Sequence, residues 1–174
     1  MALAVCLLFD ARGDRAVRQL WTQLEGNGIP TLLTHTHRQH VPHLSYAVFR
    51  TFVVEQVRDA VAALPAAEPV TLRFDAVRLF RRRRGAMIAA STPTLLQRQS
   101  AVVAGGRATG ADLHLHYRPG VWLPHCSLAT SVRRDAMPLL AAAAFDVMPL
   151  EVVADRVALI DSATGEQWPA VQGT

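Results

Sequence analysis

Two tetrapeptides, Pro42-His43-Leu44-Ser45 and Pro124-His125-Cys126-Ser127, carry one pattern, Pro-His-x-Ser, at a spacing of 82 residues. Imidazole is the side chain that gains and loses protons near neutral pH. Two imidazoles, each followed two residues on by a hydroxyl, suit acid–base chemistry around one phosphate. One ring activates water and the other protonates a departing oxygen, each transfer being worth roughly 10²–10⁴-fold in rate. The Ser45 and Ser127 hydroxyls can donate to the non-bridging oxygens, where charge grows in the transition state. This chemistry calls on neither a metal nor an organic cofactor.

The repeat runs beyond the tetrapeptides. Ala47 and Ala129 also match at 82, and His35-Thr36-His37 matches His114-Leu115-His116 at 79. Pro69-Val70 through Asp75-Ala76-Val77-Arg78-Leu79 matches Pro149-Leu150 through Asp155-Arg156-Val157-Ala158-Leu159 at 80. The drift between 79 and 82 requires only short insertions and deletions in loops. Two copies of one supersecondary unit fit a two-lobed domain, since a stacked array needs about three or more repeats. The expected organisation is one domain over residues 1–174, present as a monomer.

At 174 residues, 51% hydrophobic and 18% charged, the chain is a folded globule rather than a disordered segment. The net charge is +4, and all 18 basic residues are arginine. Such a surface favours anionic partners, nucleotides or RNA among them. Cys6 and Cys126 lie in apolar, strand-like stretches without a cysteine framework, which points to a reducing cytoplasmic setting. Met1 to Phe9 is too short to span a bilayer and lacks the basic start of a signal peptide. It reads as the first strand.

Periodicity places the other elements. Asp14 reads as the cap of a helix that puts Val17, Leu20, Trp21 and Leu24 on one face and stops at Gly26 and Gly28. Strands are expected at Thr31–His37 and His43–Phe49. A second helix carries Val53, Val57, Ala60, Val61 and Leu64, and Pro65 ends it. Val70–Phe80 and Ala86–Ala90 read as strands joined by a turn at Arg81–Gly85. A third helix opens at Thr92-Pro93 and ends near Gly105-Gly106.

The second half repeats the order, with strands at Leu113–His116, Trp122–Thr130 and Leu150–Ile160. Its helix contains Pro138 and is capped by Asp135 or Ser131. A hairpin strand follows Thr164-Gly165. Because residues i, i+2 and i+4 of a strand share a face, His43, Ser45 and Ala47 point one way and Leu44, Tyr46 and Val48 the other. His125, Ser127 and Ala129 follow suit. The expected fold is α+β: two pseudo-twofold-related lobes, each a small, mainly antiparallel sheet backed by helices, around a central cleft.

His43-Leu44-Ser45-Tyr46 and His125-Cys126-Ser127-Leu128 match a His-x-Ser/Thr-hydrophobic pattern. With their spacing and the order of elements, the chain resembles the two-histidine (2H) phosphoesterase superfamily and, within it, the 2′-5′ RNA ligase-like group. That resemblance implies a metal-independent phosphoesterase acting on a 2′,3′-cyclic phosphate or 2′-5′ phosphodiester of RNA ends or nucleotides. It implies His125 as base and His43 as acid, an order that symmetry allows to reverse, and ligation as the reverse reaction. Where the RNA cyclic phosphodiesterase branch follows its first motif with an aromatic–Leu–Gly run, Ala47-Val48-Phe49-Arg50 stands here.

Four further residues are candidate substrate contacts. Tyr117, Arg118 and Trp122 precede the second motif, where an aromatic ring can stack on a base. Arg82, from the run Arg81 to Arg84, can neutralise backbone phosphate; a solvated hairpin tip is the alternative. His35 and His37 could share a metal from one strand face, but carboxylate and cysteine partners are missing nearby. A place at the cleft mouth suits His37 and His116 better. A non-catalytic RNA- or nucleotide-binding module using the same cleft is the rival reading, and an enzyme acting on a small non-nucleotide cyclic phosphate is a third.

Overall fold

The computed structural model describes residues 2–66 and 68–170. One strand–helix–strand–helix–strand path is run twice. The first half is β1 (Leu3–Phe9), α1 (Ala11–Gly26), β2 (His43–Phe49), α2 (Val54–Ala62) and β3 (Val70–Phe80). The second is β4 (Arg84–Ala89), α3 (Pro93–Ala108), β5 (His125–Ala129), α4 (Met137–Phe145) and β6 (Leu150–Asp161), after which β7 (Gln167–Pro169) folds back on β6. No helix among the described residues is long and apolar enough to cross a membrane.

The fold is α+β, but the expected pair of small sheets is corrected to one antiparallel sheet of seven strands. Its order is β2-β1-β6-β3-β4-β5, with β7 on β6. The reason is the length of β6, which pairs with β1 through Ala154–Asp161 and with β3 through Leu150–Ala154. Exchanging β1, β2 and β3 for β4, β5 and β6 leaves this order unchanged when read backwards. The helices obey the same exchange, since α1 packs on α4 and β5 while α3 packs on α2 and β2.

Capping and close packing explain where the helices differ from expectation. Asp10, rather than Asp14, caps α1 by accepting from the Gly13 N–H at 2.9 Å. Asp14 lies in the first turn and pairs with Arg18. Val17, Leu20, Trp21 and Leu24 are buried as their spacing predicts. Thr92 caps α3, with Pro93 in its first turn, but the helix runs through Gly105 and Gly106 to Ala108. Gly106 provides close approach rather than a stop: a Cβ there would collide with the Phe49 ring. Neither Asp135 nor Ser131 caps α4. A 3₁₀ turn at Arg134–Ala136 leads into it, and Pro138 sits in its first turn, where no intrahelical bond is lost.

Two expected strands are absent. In Thr31–His37 only Thr31 bridges to a strand residue, Ala129. Glu25 turns this segment, one carboxylate oxygen accepting from both the backbone N–H and the hydroxyl of Thr31 and of Thr34. Leu113 bridges only Phe49, and Leu115–Tyr117 is a 3₁₀ turn. The strand expected from Trp122 begins instead at His125. Pro124 has no N–H to offer a ladder, and the Trp122 side chain is buried and bonded elsewhere.

Candidate active site

A β-bulge directly follows each motif. Val5 pairs with Ala47 and Cys6 with Ser45, so Tyr46 is an extra residue on β2. Gly85 pairs with Ala129 and Ala86 with Ser127, so Leu128 is its counterpart on β5. An extra residue reverses the alternation beyond it. His43 and Ser45 therefore share their face with Val48, while Ala47 and Ala129 are buried in the main core, contrary to simple alternation.

Bulging takes backbone carbonyls out of the ladder, and a buried carbonyl needs another donor. The Trp122 indole N–H donates to Ser45 O at 3.0 Å, and the Trp21 indole N–H donates to Ser127 O at 3.0 Å. The Gln99 amide donates to both Tyr46 O and Tyr117 O. Trp122 is thus not a platform for a base. It is 7% exposed, packs on Tyr46, and holds the motif strand from behind.

Each motif imidazole is fixed in the same way. His43 Nδ1 donates to Val41 O at 2.7 Å and His125 Nδ1 to Leu123 O at 2.8 Å. A carbonyl only accepts, so Nδ1 carries hydrogen in both rings and Nε2 is left for chemistry. Although β2 and β5 end the strand order, they touch in space, because the twisted sheet curls its edges together.

The surroundings push the two rings apart. Burial works against charge on His43, but the Cys6 sulfur and the Val41 carbonyl outweigh it and raise the ring to about 9. At His125 burial dominates; the charges of His43 and Arg78 add to it against the pull of Leu123 O, and the pKa falls. Burial pushes the Tyr117 hydroxyl up to about 12, against the Ser45 hydroxyl and Arg84, which favour its charged form, so it stays neutral.

His43, Ser45, His125, Ser127 and Tyr117 are thus drawn together, whereas other expected contacts are not. Arg118 is exposed on the loop that follows the 3₁₀ turn. Arg82 sits at a hairpin apex with φ of 67° and projects from the end of the sheet. Its neighbour Arg84 shares the motif face, paired with Phe80 and in line with the Arg78–Ala86 pair. The Phe80 ring lies 5.4 Å from that of His125, with the Arg78 guanidinium 5.3 Å from the Phe80 centroid. Sequence reasoning does not single out Cys6, Arg78, Phe80, Gln99 or Trp21 as parts of the site, and it offers Arg84 only as one of the run Arg81 to Arg84. The 80-residue offset signals some of them, by aligning Cys6 with Ala86 and Arg78 with Ala158.

His35, His37 and His40 gather beside the site, rings 4.1 and 5.8 Å apart. Burial and the neighbouring imidazoles push His40 down to about 4. The His35/His37 pair does not lie on a strand, and no group of three or more His, Cys, Asp or Glu among the described residues is placed to hold a metal. His116 lies against His114 on the opposite side. A cavity of about 860 Å³ opens between α2, α3, β6 and β7, and none of the four motif side chains lines it.

A sequence model of the 2′-5′ RNA ligase superfamily matches residues 12–166. No curated protein matches the sequence. Among solved structures, apo LigT of E. coli is similar with a TM-score of 0.64 at 12% identity, over 97% of this chain and 93% of that one. TT0787 of Thermus thermophilus gives 0.62 at 16% identity, with both chains covered in full. Usb1 of Kluyveromyces marxianus with uridine monophosphate gives 0.53 at 10% identity, over 97% of each chain. At these identities the likeness is one of fold.

Proposed function

Since the chain belongs to the 2′-5′ RNA ligase superfamily, we propose that it is a phosphodiesterase that opens a 2′,3′-cyclic phosphate or cleaves a 2′-5′ phosphodiester of a nucleotide or RNA end. The observation that carries this reading is the pair of motif imidazoles, anchored alike through Nδ1 and set in surroundings that push their pKa values in opposite directions. Paired titratable groups with pKa values pushed apart make an acid and a base. LigT has been solved with 3′-AMP and Usb1 with uridine monophosphate, which supports a nucleotide ligand here.

In this reading His125 Nε2 removes a proton from water and the water oxygen attacks phosphorus. The phosphorus–oxygen bond to the ribose breaks, and His43 Nε2–H gives its proton to the departing oxygen. Ser45 and Ser127 donate to the non-bridging oxygens. Ligation would use the same pair with a ribose hydroxyl in place of water: His125 Nε2 takes its proton, its oxygen attacks the phosphorus of the cyclic phosphate, and His43 protonates the ring oxygen that is released. The environments favour this order of roles, since the reverse assignment needs His43 neutral and His125 charged, against the direction in which each is pushed. One continuous sheet carries both motifs, which supports a single catalytic domain.

The test is a screen of nucleoside 2′,3′-cyclic phosphates and 2′-5′-linked dinucleotides, with the product's phosphate position determined. Turnover that vanishes in His43→Ala and His125→Ala supports the reading; turnover unchanged in both variants refutes it. The exposed Arg81–Arg84 run and Arg78 favour, as a second reading, a module that binds RNA without turnover. Salt-sensitive RNA binding that survives loss of both histidines, with no turnover by the native chain, would select that module.

A further inference from the structure

We infer that the motif face of β3 and β4 is a nucleoside subsite. Phe80 takes the base of the nucleoside joined to phosphorus on the His125 side, and Arg78 and Arg84 take the next phosphate along. The substrate class that follows is a phosphodiester joining two nucleosides, rather than a mononucleotide. The inference rests on the phosphodiesterase reading for its meaning in catalysis.

Each half carries equivalent strands beside its motif, but in the first half the chain covers them itself. Opposite Ser45 stands Cys6, and next to Cys6 stands Ala158. Cys6, Ala158 and Ile160 are buried, and Val41, from the segment before β2, packs against Cys6 and Ile160. His37 of the same segment lies against Gly165 in the β6–β7 turn, where a Cβ would strike its ring. The cation of this half, Arg156, is committed to Asp155 and to Phe9 O. The place that a base would need beside His43 is filled.

Beside His125 the matching places are open. Opposite Ser127 stands Ala86, next to it Arg78, and two residues further along β3 comes Phe80, paired with Arg84. Both arginines are exposed and Phe80 is half-buried, whereas Ala158 and Ile160, their counterparts at a spacing of 80, are buried. Among the described residues neither arginine enters a salt bridge. The Phe80 ring leans to within 5.4 Å of the His125 ring, and the Arg78 guanidinium lies 5.3 Å from the Phe80 centroid. A cation and an aromatic face beside the reacting ring form a platform for stacking a base of any identity. Arg78 is two strands, about 10 Å, from Ser127, and its guanidinium is drawn along β3 towards Phe80. That position suits a phosphate further along the chain than the one between the serines.

Calorimetric binding to the native chain tests this without turnover. The probes are adenosine 2′-monophosphate and a 2′-5′ dinucleotide with a non-hydrolysable methylene-phosphonate linkage. The dinucleotide should bind about tenfold more tightly or better, as one added base–aromatic stack requires. Phe80→Ala should erase that advantage and leave the mononucleotide within about twofold of native, because only the second base meets the ring. Phe80→Leu keeps the apolar bulk and carries the test if the alanine variant folds poorly; Phe80→Trp should retain the advantage. A terminal 3′-phosphate on the dinucleotide should add salt-sensitive affinity that Arg78→Ala removes. Equal binding of the two probes by the native chain, no binding of the dinucleotide, or an advantage that survives Phe80→Leu overturns the inference. Turnover keeps the two readings apart. A dinucleotide held on Phe80 by a chain that turns over no phosphodiester ends the enzymatic reading and leaves the subsite. Turnover without preference for two nucleosides ends the subsite alone.

Discussion

The two halves of the molecule agree in backbone and disagree in neighbours. Both have a bulge after the serine, an indole N–H on the serine carbonyl, and an imidazole held by the carbonyl two residues earlier. Across the motif face they diverge. Beside His43, β1 and β6 present Cys6, Ala158 and Ile160; beside His125, β4 and β3 present Ala86, Arg78 and Phe80. Level with the serines one arm is apolar with a single sulfur and the other cationic and aromatic; the first arm's own cation, Arg156, lies across Leu8 from His43 and is bonded to Phe9 O. Duplication gives two histidines anchored alike, and their neighbours push them in opposite directions. The geometry is the shared part, and the electrostatics is what distinguishes the halves.

The comparison breaks most visibly at the imidazoles. Removing either should lower kcat roughly 10²–10⁴-fold, the usual worth of one positioned proton transfer. The losses should differ in pH dependence. On the proposed mechanism, the native chain's activity should rise as His125 loses its proton, below the ordinary histidine range, and fall as His43 loses its own at about 9. His125→Ala should erase the acidic limb and His43→Ala the alkaline one, as measured by kcat/KM profiles on one cyclic phosphate. The opposite pattern would exchange the roles of acid and base.

The shared part of the comparison predicts equal effects. Trp21→Phe and Trp122→Phe each leave a bulge carbonyl buried without its donor, which costs about 1–3 kcal/mol. Urea denaturation should find both variants destabilised to a similar extent. A large loss in one half alone would mean that the two bulges are not held by the same device.

The motifs, the strands that carry them and every helix are visible in the sequence, because burial of one face imposes a period that a single chain displays. Val17, Leu20, Trp21 and Leu24 show this plainly. The bulges are not visible. An extra residue opposite Cys6 is set by pairing with a strand nearly forty positions away, so alternation assigns Ala47 to the wrong face. Gly106 reads as a stop because its partner, Phe49, is more distant still in the chain. Thr31–His37 has the composition of a strand, and only the carboxylate of Glu25 explains why it turns instead. What periodicity does not reveal is in each case a long-range contact or a side chain reaching back to backbone.

The arginine run shows the same limit and gives the smallest effect expected here. Four consecutive arginines offer no means of choosing among themselves until the β3–β4 register places Arg84 opposite Phe80 on the motif face and leaves Arg82 at the apex. Arg84 and Arg78 should then steer and hold the anionic substrate, with little part in the proton transfers. Replacing either by Ala should raise KM several-fold and flatten its salt dependence while kcat changes little, as a group that binds ground and transition states alike requires. Arg82→Ala should leave both constants within about twofold, since an exposed charge at a hairpin tip is largely screened at physiological salt. Michaelis curves at two ionic strengths separate these outcomes. A KM effect at Arg82 as large as that at Arg84 would mean that substrate extends past the motif face onto the hairpin, and that the cationic arm of the second half is longer than its strands.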